Sequence, residues 1–141
     1  MEIVSNSADE TAALGKQIAG YLSPGCVIAL QGTLGSGKTC FARGIASGLG
    51  ISENLTSPTY TIINEYSKTD CPALYHIDAW RLSGDKDFED IGGLEIIYGN
   101  GICVIEWSER ILKSLPENTI TITLDITGHS SRLIKINGIV L

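Results

Sequence analysis

The stretch Gly32-Thr33-Leu34-Gly35-Ser36-Gly37-Lys38-Thr39 sets three glycines, a lysine and a hydroxyl in the order G-x-x-x-x-G-K-[ST]. Glycines let successive backbone N–H groups curl into a concave nest. A helix beginning just after them adds the positive end of its dipole, so the segment suits a polyphosphate. In such a loop Lys38 reaches the β and γ phosphates, and the Thr39 hydroxyl holds a magnesium ion that bridges phosphate oxygens. The expected ligand is a nucleoside triphosphate with its metal.

That metal calls for a second acid, and two apolar stretches end in one: Asp78 follows "ALYHI" and Glu106 follows "ICVI". Either can serve on chemistry alone. Glu106 ends the more apolar stretch, as expected at the centre of a sheet whose carboxyl edge faces the ligand, and takes the metal-side role. Asp78 becomes the candidate to position attacking water. The plainer readings are that Glu106 caps the helix after it and that Asp78 pairs with Arg81. In "TSPTY" Pro58 holds Ser57 extended and sets Thr56, Thr59 and Thr61 hydroxyls in a connection that can sense a γ phosphate or serve as an ordinary turn. His76 and His129 stand singly and receive no chemistry.

The elements that must position these residues follow from periodicity. Ser7, with Glu10 three residues on, opens a helix whose apolar face is Leu14, Ile18 and Leu22. Residues 26–31, "CVIALQ", and 102–107, "ICVIEW", are short continuous apolar runs, the pattern of neighbouring strands covered on both faces. A helix is expected from Lys38 to Leu49, closed by Gly50. "TYTIINEY" and "ALYHID" read as a hairpin around "SKTDCP". "GDKDFEDIGGLEII" reads as a surface helix interrupted at Gly92 and Gly93, and "SERILKSL" as a short helix stopped by Pro116. In "TITITLDIT" Ile120, Ile122, Leu124 and Ile126 alternate inward against outward threonines and Asp125, and "RLIKINGIVL" completes an antiparallel pair. The expected architecture is one α/β domain over residues 1–141, three-layered and P-loop NTPase-like, its mixed sheet parallel at the centre and antiparallel at the margins.

Composition narrows the function. Hydrophobic residues are 43% and charged residues 18% of 141, which suits a globular chain, and no apolar run approaches the ~20 residues of a membrane span. The start, "MEIVSNSADE", lacks the basic and apolar parts of a secretory signal, so the cytoplasm is the expected location. Cys26, Cys40, Cys71 and Cys103 show no CxxC spacing and read as free thiols. A net charge of −6, with the ten Lys and Arg dispersed, disfavours direct nucleic-acid binding.

Taken together, "GTLGSGKT", "SPTYT", "YHIDAWRL" and "VIEWSER", in this order, resemble the TsaE family, formerly called YjeE, across nearly the whole chain. Its members are small bacterial ATPases needed for threonylcarbamoyladenosine modification of tRNA. The resemblance implies ATP and Mg2+ as ligands, with Gly35, Ser36, Gly37, Lys38, Thr39 and Cys40 as the phosphate cradle. It makes Thr39 and Glu106 the magnesium positions and Asp78 a residue needed for hydrolysis, with Lys38 beside it in catalysis. Trp107 is then adjacent to the site, Thr11 and Gly128 lie toward the nucleoside, and Ser57, Thr59 and Thr61 belong to a switch-like element. TsaD and TsaB are the implied partners, with tRNA engaged only through them and no membrane involved. The chain departs from the family at Thr33, where an acid is frequent, and at Asp78-Ala79-Trp80-Arg81, where "DLYR" is usual.

Three functions share these features. The leading one is ATP hydrolysis, slow alone and completed by partners, with Arg43 and Arg81 as internal candidates to complete the site. A small-metabolite kinase needs a lid, and the four arginines Arg43, Arg81, Arg110 and Arg132 supply no arginine-rich segment for one. A nucleotide-gated binding module requires occupancy without appreciable hydrolysis.

Overall fold

The computed structural model describes residues 1–53, 55, 63–139 and 141. Ser57, Thr59 and Thr61 lie outside the described residues. Seven strands form one sheet: β1 Glu2–Ser5, β2 Val27–Gln31, β3 Ile63–Tyr66, β4 Leu74–Asp78, β5 Ile102–Glu106, β6 Ile120–Ile126 and β7 Arg132–Asn137. Their order is β1-β7-β6-β2-β5-β4-β3. The middle pairings, β6 with β2, β2 with β5 and β5 with β4, are parallel, while β1–β7, β6–β7 and β3–β4 are antiparallel. The parallel centre and antiparallel margins read from the sequence are present.

Helices α1 Ala8–Ala19 and α2 Lys38–Gly48 cover one face, packing Leu14, Ile18, Phe41 and Ile45 against Ile28, Leu30, Val104 and Ile122. On the other face, α3 Asp85–Asp90, α4 Gly93–Ile97 and the 3-10 segment Ser108–Ser114 enclose Phe88, Ile97 and Ile111 against Val27, Cys103 and Ile105. Alternation along β5 feeds both layers, which is why the "ICVI" run is apolar throughout.

α1 begins as expected: Ser7 is the N-cap and its Oγ accepts the Glu10 amide at 3.0 Å. It ends at Ala19, so Leu22 packs on the core from beyond the helix rather than along it. The interruption at Gly92 and Gly93 splits α3 from α4. "SERILKSL" forms a 3-10 segment kinked at Ile111, whose φ of −132° lies outside helical values. One strand was not foreseen: β1 lies on the outer edge beside β7, and its four residues are too few to show alternation. One reading needs correction. Ile126, expected inward, is 50% exposed, because β6 runs past the helix layer there.

Candidate functional site

β2 delivers the chain to the loop at the carboxyl edge of the sheet, and α2 carries it away. Gly35 and Gly37 take φ of 79° and 105°, left-handed values that a side chain disfavours, and this alternation turns the loop's amides inward. Gly37 is the N-cap of α2 and supplies no side-chain bond to the helix's opening amides, which leaves that end to an anion.

Lys38 is 5% exposed. Its Nζ donates to Gly32 O at 2.5 Å and Thr33 O at 3.1 Å, and lies 3.9 Å from the centroid of the Trp107 ring. Burial lowers the pKa of this ammonium, opposed by the charges of Glu106, Glu109 and Asp78. Ser36 Oγ is fully buried without a hydrogen-bond partner, a polar atom left for something the loop encloses.

β2 and β5 are paired so that Leu30 stands beside Glu106, which brings the acid to the start of α2. Thr39 Oγ1 donates to Glu106 Oε1 at 3.0 Å, with Oε2 at 3.2 Å. The described residues hold no group of three or more His, Cys, Asp or Glu able to bind a metal by themselves. One hydroxyl and one carboxylate, both hard oxygen donors, nevertheless fit magnesium, which takes few protein ligands and completes its shell with water and phosphate oxygens.

Asp78 faces Glu106 across the β4–β5 ladder. Its Oδ1 accepts the Trp80 amide at 2.9 Å, and no ion pair joins it to Arg81 among the described residues. Burial raises its pKa, and the charge of Glu106 adds to the rise against the Trp80 hydrogen bond. A pocket of about 430 Å³ is lined by residues 34–40 together with Asp78, Trp80, Glu106 and Trp107. Trp107 turns the chain out of β5 at φ 59°, strained for a bulky residue, and so lays its ring over Lys38. Trp80 packs on it with centroids 4.4 Å apart, so the departure from the usual tyrosine still supplies an aromatic at this wall.

Behind the loop, a second pocket of about 360 Å³ is bounded by Asn6, Ser7, Thr11, Cys40, His129 and Arg132 with the loop glycines. Thr11 lies there, its Oγ1 bonded to Ser5 Oγ at 2.7 Å. Gly128 does not face the pocket through its own atoms. Its carbonyl accepts from Arg132 at 3.2 Å, and the wall comes from His129 and Ser130.

One residue was passed over. His76, expected to be inert, is fully buried with Nε2 at 2.5 Å from Glu106 Oε2. Its position two residues before Asp78 on a strand was the available signal, since period two puts both on one face. Arg43, a candidate to complete the site, instead donates Nε to Leu55 O at 2.8 Å.

Against this geometry stand the relatives. The family model "Threonylcarbamoyl adenosine biosynthesis protein TsaE" matches residues 5–134. The chain belongs to the TsaE family. It is 47% identical to the tRNA threonylcarbamoyladenosine biosynthesis protein TsaE of Treponema pallidum, covering 96% of this chain and 99% of that one. The TsaE of Bacillus subtilis is 40% identical over 93% of this chain and 81% of its own. The crystal structure of Bacillus subtilis YdiB superposes with a TM-score of 0.77 at 34% identity, covering 96% of this chain and 83% of that one. TsaE proteins take part in the biosynthesis of threonylcarbamoyladenosine in tRNA.

Proposed function

We propose that this chain binds MgATP and hydrolyses it to ADP and phosphate, slowly alone, to reset or remodel a TsaB–TsaD complex that modifies the adenosine beside the tRNA anticodon. The observation that carries the reading is the bond between Thr39 Oγ1 and Glu106 at 3.0 Å at the mouth of a glycine loop. It brings together the hydroxyl and the carboxylate that would hold magnesium, near the lysine that would meet the β and γ phosphates.

Thr39 and Glu106 would hold magnesium, which would supply positive charge against the phosphate oxygens during cleavage. Lys38 exchanges the carbonyls of Gly32 and Thr33, which it holds without ligand, for phosphate oxygens. Asp78, on the same face as Glu106, accepts a hydrogen bond from water in line with the γ phosphate. The nucleoside extends past Thr11 toward the β6–β7 hairpin. TsaD and TsaB are the partners, and tRNA is engaged through them rather than through this chain of net charge −6. The cytoplasm is the compartment this role implies.

Titration calorimetry with MgATP tests binding; absence of heat at millimolar ligand together with an unmoved melting temperature would sink it. A phosphate-release assay with and without TsaB and TsaD tests the coupling, for which a rise of about 10³-fold or more is expected. Equal rates in both conditions reject partner dependence.

A further inference from the structure

Arg132 opens β7, and its guanidinium joins two parts of the chain far apart in sequence. Nε donates to Ser36 O at 3.1 Å and Nη2 to Gly35 O at 3.1 Å. Nη1 donates to Ser131 O at 2.8 Å and Gly128 O at 3.2 Å. All four acceptors are backbone carbonyls, two in the phosphate loop and two in the β6–β7 connection. The side chain also lines the pocket behind the loop.

A nest points its amides inward by rotating successive peptide planes, which turns carbonyls to the outside. Those carbonyls need donors at fixed angles. A guanidinium offers five N–H groups in one plane and no acceptor, whereas an ammonium is a point charge on a flexible stem. The loop therefore uses two cations differently. Lys38 holds the carbonyls of Gly32 and Thr33 and must release them to meet phosphate, while Arg132 holds those of Gly35 and Ser36 from behind and can keep them.

We propose that Arg132 is a positioning residue for nucleotide binding, one that holds the phosphate loop in its amide-inward form before ligand arrives and ties it to the hairpin walling the nucleoside side. The inference rests on the nucleotide-binding reading above. A loop held this way binds without first being ordered, and loss of the anchor transfers that ordering cost to the ligand.

The test compares the full chain with Arg132→Lys and Arg132→Gln. Amide hydrogen exchange over residues 33–38, without nucleotide, reads the anchor directly. Calorimetry with MgATP and MgADP reads its consequence. Expected are loop exchange about tenfold faster in both variants, β2 and β5 exchange unchanged, and Kd for both nucleotides raised about tenfold. Wild-type exchange and affinity in Arg132→Lys overturn the proposal, since charge alone then suffices, and unchanged loop exchange in Arg132→Gln overturns it too. Equal acceleration in the loop, β2 and β5 makes Arg132 a general fold residue and equally overturns it. Faster loop exchange in a chain whose wild type binds no MgATP supports the anchor while rejecting the nucleotide reading.

Discussion

Asp78 illustrates how a candidate catalytic group costs stability. Burial lifts its pKa above the ordinary aspartate value, so the folded chain holds the proton more tightly than the unfolded one. Its ionised form is thus penalised at neutral pH, and the penalty fades as pH falls through the raised folded pKa to below the unfolded value of 3.8. Asp78→Asn keeps an oxygen for the Trp80 amide but removes the charge. It is expected to melt higher than wild type at pH 7, to lose that advantage in acid, and to bind MgATP while failing to turn it over. Normal support of threonylcarbamoyladenosine formation by this variant favours the nucleotide-gated module over the hydrolase. His76 makes the opposite case. Its Nε2 lies 2.5 Å from a carboxylate that is itself 3% exposed, so the two form a buried pair. His76→Ala is expected to destabilise the fold by about 3 kcal/mol in urea titrations, the scale for stripping one partner from a buried pair. An unchanged midpoint would mean the contact contributes nothing.

At the scale of elements, the site depends on how closely α1 and α2 approach. A Cβ on Gly44 would stand 2.1 Å from the carbonyl oxygen of Ala12, so this contact admits no side chain. Gly44→Ala must push the helices apart and is expected to cost about 1–3 kcal/mol, shifting α2 and the loop that leads into it. Gly20→Ala is the control. Gly20 has φ −66° and a Cβ there meets only Gln17 O at 3.4 Å, so the change is expected to be neutral or stabilising by up to about 1 kcal/mol. Equal denaturation midpoints for the two variants reject the packing argument. The same elements show what the sequence could disclose. The loop, both central strands and the acids at their ends are local patterns, so Lys38, Thr39, Asp78 and Glu106 were legible with their neighbours. Arg132 was not, because its partners at Gly35 and Ser36 lie 97 and 96 residues away and nothing near it marks a phosphate site. The 3-10 form of "SERILKSL" was equally hidden: the backward turn at Trp107 is set by the strand it leaves, and propensity does not encode it.

Across the whole molecule, the thiols sample three depths of one cooperative structure. Cys71 is exposed and Cys103 is buried, while Cys40 is partly covered in the loop helix and lines both pockets. Burial pushes the Cys103 thiol up to about 12 and raises that of Cys40 as well, against the opposing charge of Arg43. Only the thiolate attacks a disulfide reagent, so at pH 8 both lose reactivity twice over, through access and through ionisation. In a native-state labelling experiment Cys71 is expected to react first and Cys40 more slowly, with Cys103 last, at the rate of global opening. Because Cys103 lies in the core between β5 and the α3–α4 layer, its Sγ 3.6 Å from Ile96 O, its labelling requires that layer to lift from the sheet. On the function proposed above, MgATP binds the folded chain and not the unfolded one, and is expected to lower the Cys103 rate by a factor that grows with ligand concentration. On the same reading Cys40 lies under the ligand, and its protection is expected to be half complete at the Kd. Protection of Cys40 without slowing at Cys103 would show that the layer over Cys103 opens on its own, independently of the core beneath α2 on the opposite face of the sheet.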